Sequence, residues 1–302
     1  MTRPSPSPEL ELRSPALRLT LAPAWGGRLT RLQALMGAQA VDLVVPLQAP
    51  SFDPLAWPKA GAYPLMPYSN RIRHARLVFG GHTHGLQAHP AALPHTLHGP
   101  AHTLPWQVEH ADATHAVLGL RCPASAHWPW AFSAWQRYTL DGQGLRIALA
   151  VRNDAGTDMP AGLGWHPYFR VLPGLSVHYR AHADWQVGPD YLPTSWHEAR
   201  QPLRTLDAAD WASSECVRYH SHWDGHATLQ SAAGTLSLQA DGALDHLVAF
   251  APAQAPYVCF EPVSHVADGF NRPDLPAARS GLRQLMPGAT LTATIALAWH
   301  GA

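Results

Sequence analysis

Apolar and polar residues alternate with a period of two along most of this chain. Leu17, Leu19 and Leu21 stand against Arg18, Thr20 and Ala22, Trp25-Gly26-Gly27 makes a turn, and the alternation resumes over residues 28–35. Successive side chains of a strand point to opposite faces, so this spacing predicts a β meander, continued by a short strand over 41–47. The same reading predicts strands over 77–81, 106–109, 116–121, 227–230, 235–239, 247–251, 257–261 and 290–299. The clearest hairpin joins 135–140 to 145–151, with Leu145, Ile147, Leu149 and Val151 on one face and Asp141-Gly142 as the tight turn. Leu291, Ala293, Ile295 and Leu297 share a face in the last strand, after the Pro287-Gly288 turn signal. Helical periodicity is nearly absent; the best candidate is a short helix over 206–213, capped by Thr205. Residues 50–68 and 90–105 are rich in proline and aromatics without a period, and are expected as loops over the sheet. Many short strands separated by Gly/Pro turns predict a sandwich or barrel. With no linker and no internal repeat, the expectation is one large all-β domain over 15–302, preceded by a flexible N-terminal arm over 1–14.

Composition narrows the function class. A chain of 302 residues can bury a substantial core. Its formal net charge is zero and its basic residues form no cluster, which argues against nucleic acid and anionic membranes as partners. No apolar run reaches the ~18 residues needed to span a bilayer. The Pro- and Ser-rich start lacks the apolar centre of a signal peptide, so a cytoplasmic location is expected. Cys122, Cys216 and Cys259 form no C-x-x-C pair and are expected as reduced thiols, Cys259 buried in a strand. Lys59 is the one lysine among many arginines, a bias that reads as nucleotide composition. His82 and His84, His220 and His222, and the series His95, His98, His102 lack an accompanying H-E-x-x-H pattern, and no metal is expected.

Two stretches carry candidate chemistry. In Gly162-Leu163-Gly164-Trp165-His166-Pro167-Tyr168-Phe169, a histidine is held extended by the following proline, with small glycines before it and aromatic rings around it. In Cys259-Phe260-Glu261-Pro262-Val263, a carboxylate is placed the same way at the end of an apolar run. One histidine and one carboxylate on fixed backbones are the minimum equipment for removing one proton and delivering another.

Five short segments, in order, resemble the aldose 1-epimerases, the galactose mutarotases. They are Pro67-Tyr68-Ser69-Asn70-Arg71-Ile72, Leu97-His98-Gly99 followed by Trp106, Met159-Pro160 leading to His166-Pro167-Tyr168-Phe169, Phe260-Glu261-Pro262, and Leu285-Met286-Pro287-Gly288. The resemblance covers roughly residues 15 to 300 and implies a large antiparallel β-sandwich, the galactose mutarotase-like supersandwich. It implies interconversion of the α and β anomers of a free aldose, with Glu261 as general base at the C1 hydroxyl and His166 as general acid at the ring oxygen. It implies sugar contacts from Arg71 and His98, places Asp224 where the family has a sugar-binding aspartate, and makes Asn70 a brace of the Arg71 loop. Trp57, Trp165 and Tyr168 are expected as platforms for sugar C–H faces. Neither cofactor nor metal is implied, and the expectation is a small-molecule sugar substrate and a monomer or weak homodimer. His95 where an asparagine is common, Pro100 after His98-Gly99, and Gly26-Gly27 in place of Gly-Ala depart from the pattern and leave the hexose open. A hexose-phosphate epimerase using Arg73 and Arg76, and a non-catalytic carbohydrate-binding protein, are the alternatives. A protonated His166 beside an ionised Glu261 would give a bell-shaped pH profile around neutrality.

Overall fold

The alternation that opens the chain becomes the first turn of one continuous sheet. A computed structural model describes residues 9–142, 144–272 and 274–302. Leu17, Leu19 and Leu21 in the strand Leu17–Ala22 are fully buried, and the strand pairs antiparallel with Arg28–Met36. From there the hydrogen-bonded ladder runs through 18 strands, every pairing antiparallel among the described residues. The predicted hairpin is present as Phe132–Leu140 and Leu145–Asn153, longer at both ends, and the latter pairs on its other side with Thr290–Gly301. Among the described residues, no helix is long and apolar enough to cross a membrane.

Three local readings change. Residues 10–13, placed in the arm, form a strand paired with Leu17–Ala22, its Leu12 fully buried; residues 1–8 of the arm lie outside the described residues. The helix expected over 206–213 is a strand, Leu203–Asp207, followed by one 3-10 turn, Ala208–Trp211. Its cap is Asp207, whose carboxylate accepts from Ala209 N–H while Asp210 reaches back to Asp207 N–H, so Thr205 stays in the ladder opposite His178. Ser176–Val187 and Cys216–Ser231 are long strands, of which the pattern announced only residues 227–230. In the first of them, Val177, Tyr179, Ala181, Ala183 and Trp185 point inward.

Buried apolar side chains fall into two clusters. The larger lies between the folded layers and holds Leu12, Leu32, Ile147, Val151, Trp165, Phe169, Phe260 and Ile295. The smaller holds Trp57, Tyr63, Tyr168, Tyr219, Val248, Tyr257 and Cys259. Parity divides the strands Gly164–Arg170 and Tyr257–Val263 between them: Trp165, Phe169 and Phe260 face the larger cluster, Tyr168 and Cys259 the smaller.

Candidate active site

The register of six strands builds one row that places the two sequence candidates side by side. Gly164 pairs with Val263 and Tyr168 with Cys259, so His166 stands level with Glu261 on the same face. Pro167 and Pro262, which lack a backbone donor, sit inside the stretch where that ladder is interrupted. On its other side His166 pairs with Tyr63, and the Leu29–Ala62 pairing brings Arg28 level with Tyr63. Beyond Glu261 come Val248 and Tyr219. One row across the sheet therefore reads Tyr219, Val248, Glu261, His166, Tyr63, Arg28. The adjacent row supplies Val217, Phe250, Cys259 and Tyr168.

These rows floor a cavity of about 240 Å³, near the small end of ligand pockets at about 300–1,000 Å³. Loops supply its walls: Trp57 and Lys59 from the first loop, Asn70 and Arg71, then Leu97 and His98, with Tyr191 opposite. At the floor, His166 Nε2 lies 3.3 Å from Glu261 Oε1, both side chains buried. The imidazole stacks on Tyr63 at 4.6 Å between centroids and leans on Tyr168 at 4.8 Å, while Trp57 Nε1 donates to Tyr168 Oη at 3.2 Å.

His98 and Arg71 are set by one tight loop. Asn70 takes a left-handed backbone, φ 59°, which asparagine tolerates. Its N–H donates to His98 Nδ1 at 3.1 Å, and His98 N–H returns to Asn70 O at 2.8 Å. With Nδ1 accepting, a neutral His98 carries its proton on Nε2, on a ring that lines the cavity. Gly99 must be glycine here: φ is +67°, and a Cβ would lie 2.4 Å from Met66 O. Asn70 Oδ1 accepts from Arg71 N–H and Nη1, and Asn70 Nδ2 donates to Tyr219 Oη. The Arg71 guanidinium lies over Tyr191, 4.3 Å from its centroid.

Burial dominates the electrostatics. It drives the His166 pKa well below the ordinary histidine value, with the charges of Lys59 and Arg28 adding to the effect. It pushes the Glu261 carboxyl up to about 8, against the opposing pull of Arg71. Burial thus disfavours the charged form of both groups and works against the ion pair expected from the sequence. His98 and His102 are also held neutral by burial. Arg28 is fully buried over the Tyr63 ring at 4.2 Å, none of its guanidinium nitrogens has a hydrogen-bond partner among the described residues, and its pKa is pushed down to about 10.

Of the residues singled out from the sequence, His166, Glu261, Arg71, His98, Asn70, Tyr168 and Trp57 line this cavity. Trp165 does not: it sits one position from His166 and so faces the larger core. Asp224 does not either. It is exposed on Cys216–Ser231, where its carboxylate accepts from His226 N–H at 3.0 Å and lies 3.9 Å from Arg180 Nε, next to Gly225 at φ +81°. Its carboxylate accepts from the N–H two residues on, an Asx turn at the bulge inside the strand where the register against Tyr179 and Ala181 shifts. Lys59, Tyr63, Tyr191 and Tyr219 were not singled out as site residues; only the register and the loop fold bring them in. Among the described residues, His166, Cys259 and Glu261 form the one group with metal-ligand atoms within 4.8 Å of one another. Burial holds the Cys259 thiol in its protonated form and Lys59, Arg28 and Arg71 surround the group, so the donor set and its field suit a proton better than a divalent cation.

Comparison with known proteins agrees with this architecture. The family model for aldose 1-epimerase matches residues 8–298. YphB of Escherichia coli K12, an uncharacterised protein, is 26% identical over 254 residues, 79% of this chain and 83% of YphB. A crystal structure of an E. coli K12 protein assigned by similarity as an aldose 1-epimerase superposes with a TM-score of 0.84 at 20% identity, covering 98% of this chain and 99% of that one. A galactose mutarotase-like protein of Clostridium acetobutylicum gives 0.81 at 18% identity, covering 97% and 95%. At these identities the superpositions speak for the fold.

Proposed function

The chain belongs to the aldose 1-epimerase family, and on that premise we propose that it interconverts the α and β anomers of a free aldose, with His166 and Glu261 moving the protons. The observation that carries this reading is the 3.3 Å approach of the His166 imidazole to the Glu261 carboxyl on the floor of a cavity walled by hydrogen-bonding side chains.

Ring opening removes the proton from the C1 hydroxyl, turns that C–O bond into a carbonyl, breaks the bond from C1 to the ring oxygen and delivers a proton to that oxygen. Rotation about C1–C2 presents the other carbonyl face, and reclosure reverses both transfers. The acid gives up a proton as the base gains one, so the pair carries one proton at every stage. In the family-like assignment Glu261 is the base at the C1 hydroxyl and His166 the acid at the ring oxygen. A proton that burial favours on Glu261 reaches His166 by crossing the 3.3 Å contact, and the two states have the same charge. His98 Nε2–H and Arg71 offer donors to sugar oxygens, and Tyr168 and Trp57 offer ring faces. Positioned proton transfer of this kind contributes about 10²–10⁴-fold.

The phosphosugar alternative rested on Arg73 and Arg76. Arg73 lies 3.4 Å from Asp190 and 3.6 Å from Asp268, and both arginines line a separate surface depression. The test of the leading reading is NMR exchange between anomeric protons, or polarimetry, on a panel of aldoses with wild type and Glu261→Gln. Equal rates for the two proteins on every sugar would sink it.

A further inference from the structure

The charges lining the cavity do not balance. Lys59 and Arg71 line it, the buried Arg28 lies behind Tyr63, and Glu261 is its one carboxyl. Lys59 Nζ rests 4.8 Å from the centre of the Trp57 ring, and Arg71 rests on Tyr191 and Asn70. Among the described residues, no carboxylate lies within 4.0 Å of either cation. The acid expected from the sequence, Asp224, is outside the cavity. Lys59 is also the only lysine of the chain. A bias that makes every other Lys/Arg position an arginine does not account for the single ammonium that remains, in the wall of this cavity.

Its place relative to the reacting atoms is defined. Lys59 rests on Trp57, the Trp57 indole donates to Tyr168 Oη, and the Tyr168 ring leans on His166. Lys59 is thus reached from the His166 side of the pair. In a pyranose the ring oxygen joins C1 to C5, and C5 carries C6. A sugar with its ring oxygen at His166 and its C1 hydroxyl at Glu261 therefore directs C6 to the side where Lys59 stands.

We propose that the cavity takes a hexuronate, an aldose whose C6 is a carboxylate, and that Lys59 is the specificity-determining residue that holds that carboxylate. This deepens the epimerase reading and rests on it for the direction of C6. One compact ammonium matches one carboxylate charge. A phosphate ester brings about −1.5 to −2 charges and three acceptor oxygens, more than the one ammonium on the C6 side neutralises while Arg71 rests on Tyr191 and Asn70, and the cavity of about 240 Å³ leaves little room for it.

The experiment is two-dimensional exchange NMR on the anomeric protons of glucuronate, galacturonate, glucose, galactose and glucose 6-phosphate, using wild type, Lys59→Met and Lys59→Arg, each checked for folding by circular dichroism. The wild type is expected to show kcat/KM about tenfold or more higher for a uronate than for the matching hexose. Lys59→Met should erase that ratio mainly through KM, and Lys59→Arg should restore part of it. A wild-type ratio of one or less, a ratio that survives Lys59→Met, or a preference for the phosphate ester would each overturn the proposal. If no sugar exchanges, the epimerase reading fails, and calorimetry decides the site separately. Uronate binding weakened about tenfold in Lys59→Met upholds the carboxylate site, and equal binding removes it.

Discussion

Two rows of side chains cross the same sheet with opposite contents. One reads Ala116, Tyr138, Ile147, Ile295, Ala240, and its one polar atom, the Tyr138 hydroxyl, donates to Gln136, which in turn donates to Gly27 O. The other reads Tyr219, Val248, Glu261, His166, Tyr63, Arg28. Backbone pairing is continuous through the first row and interrupted between His166 and Glu261 in the second. In the first row every group is apolar or satisfied, and burial stabilises it. In the second, the His166 Nδ1 and all three Arg28 nitrogens are buried without partners, and Glu261 is held against its ordinary ionisation. Buried groups of that kind destabilise a fold, and here they lie on and behind the floor of one cavity. The first row serves stability; the second gives up stability at the lining of a cavity.

Exchanging the two roles should be visible in the variants. The largest effect is expected at Glu261→Gln, where anomer exchange falls about 10²–10⁴-fold while the protein becomes more stable at alkaline pH. The sign follows from the raised carboxyl. The folded state keeps the proton up to about 8, whereas the unfolded chain releases it near 4.5. Stability from this group is complete below the unfolded value and is lost as pH rises through the folded one. Glutamine has no proton to lose, so the melting temperature of the variant minus that of wild type should grow from pH 5 to pH 9. A constant difference would show that Glu261 is not held protonated. In the same picture, wild-type exchange falls above about pH 8, where the pair loses its shared proton, and its acid limb lies below the ordinary histidine value.

The apolar row is expected to respond in the other sense. Ile147→Ala leaves a cavity in the larger core and should cost about 2–5 kcal/mol in urea unfolding, with kcat/KM near wild type wherever the variant is folded. Loss of activity ahead of unfolding would mean that the two rows are coupled. Arg28→Met tests the polar row from behind. His166 is faced by Glu261, Tyr63, Tyr168, His98, Lys59 and, through Tyr63, by Arg28. Removing the buried cation relieves one of the causes that keep the imidazole neutral, so the acid limb of the pH–rate profile should move to higher pH. An unmoved limb would leave Arg28 as packing only.

The apolar row is legible in the sequence because period-two alternation is a local signal: Leu145, Ile147, Leu149 and Val151 announce their own strand. The strand Ser176–Val187 obeys the same rule, with Val177, Tyr179 and Trp185 inward, but the small Ala181 and Ala183 at the middle of that face thin the signal between His178, Arg180 and His182. His166 and Glu261 stand out because each precedes a proline. Their meeting is a sum of registers among strands distant in the chain, and no single segment encodes it. Arg28 and Tyr63 join the row only through those registers. Lys59 enters from an aperiodic loop, where its rarity is the one local signal.

Asp224 marks how far a motif without geometry carries. An aspartate before a glycine is the ordinary composition of a turn, and here the carboxylate caps that turn by accepting from His226 N–H. Asp224→Ala loses that exposed contact and the 3.9 Å approach of Arg180, a pair too open to water to matter much. Stability and kcat/KM should each stay within about 0.5 kcal/mol of wild type, roughly a factor of two in rate. A loss of tenfold or more in anomer exchange would mean that the sugar extends to this turn. The polar row would then be only one end of the binding site, and the assignment of C6 to the Lys59 side would have to be redrawn with it.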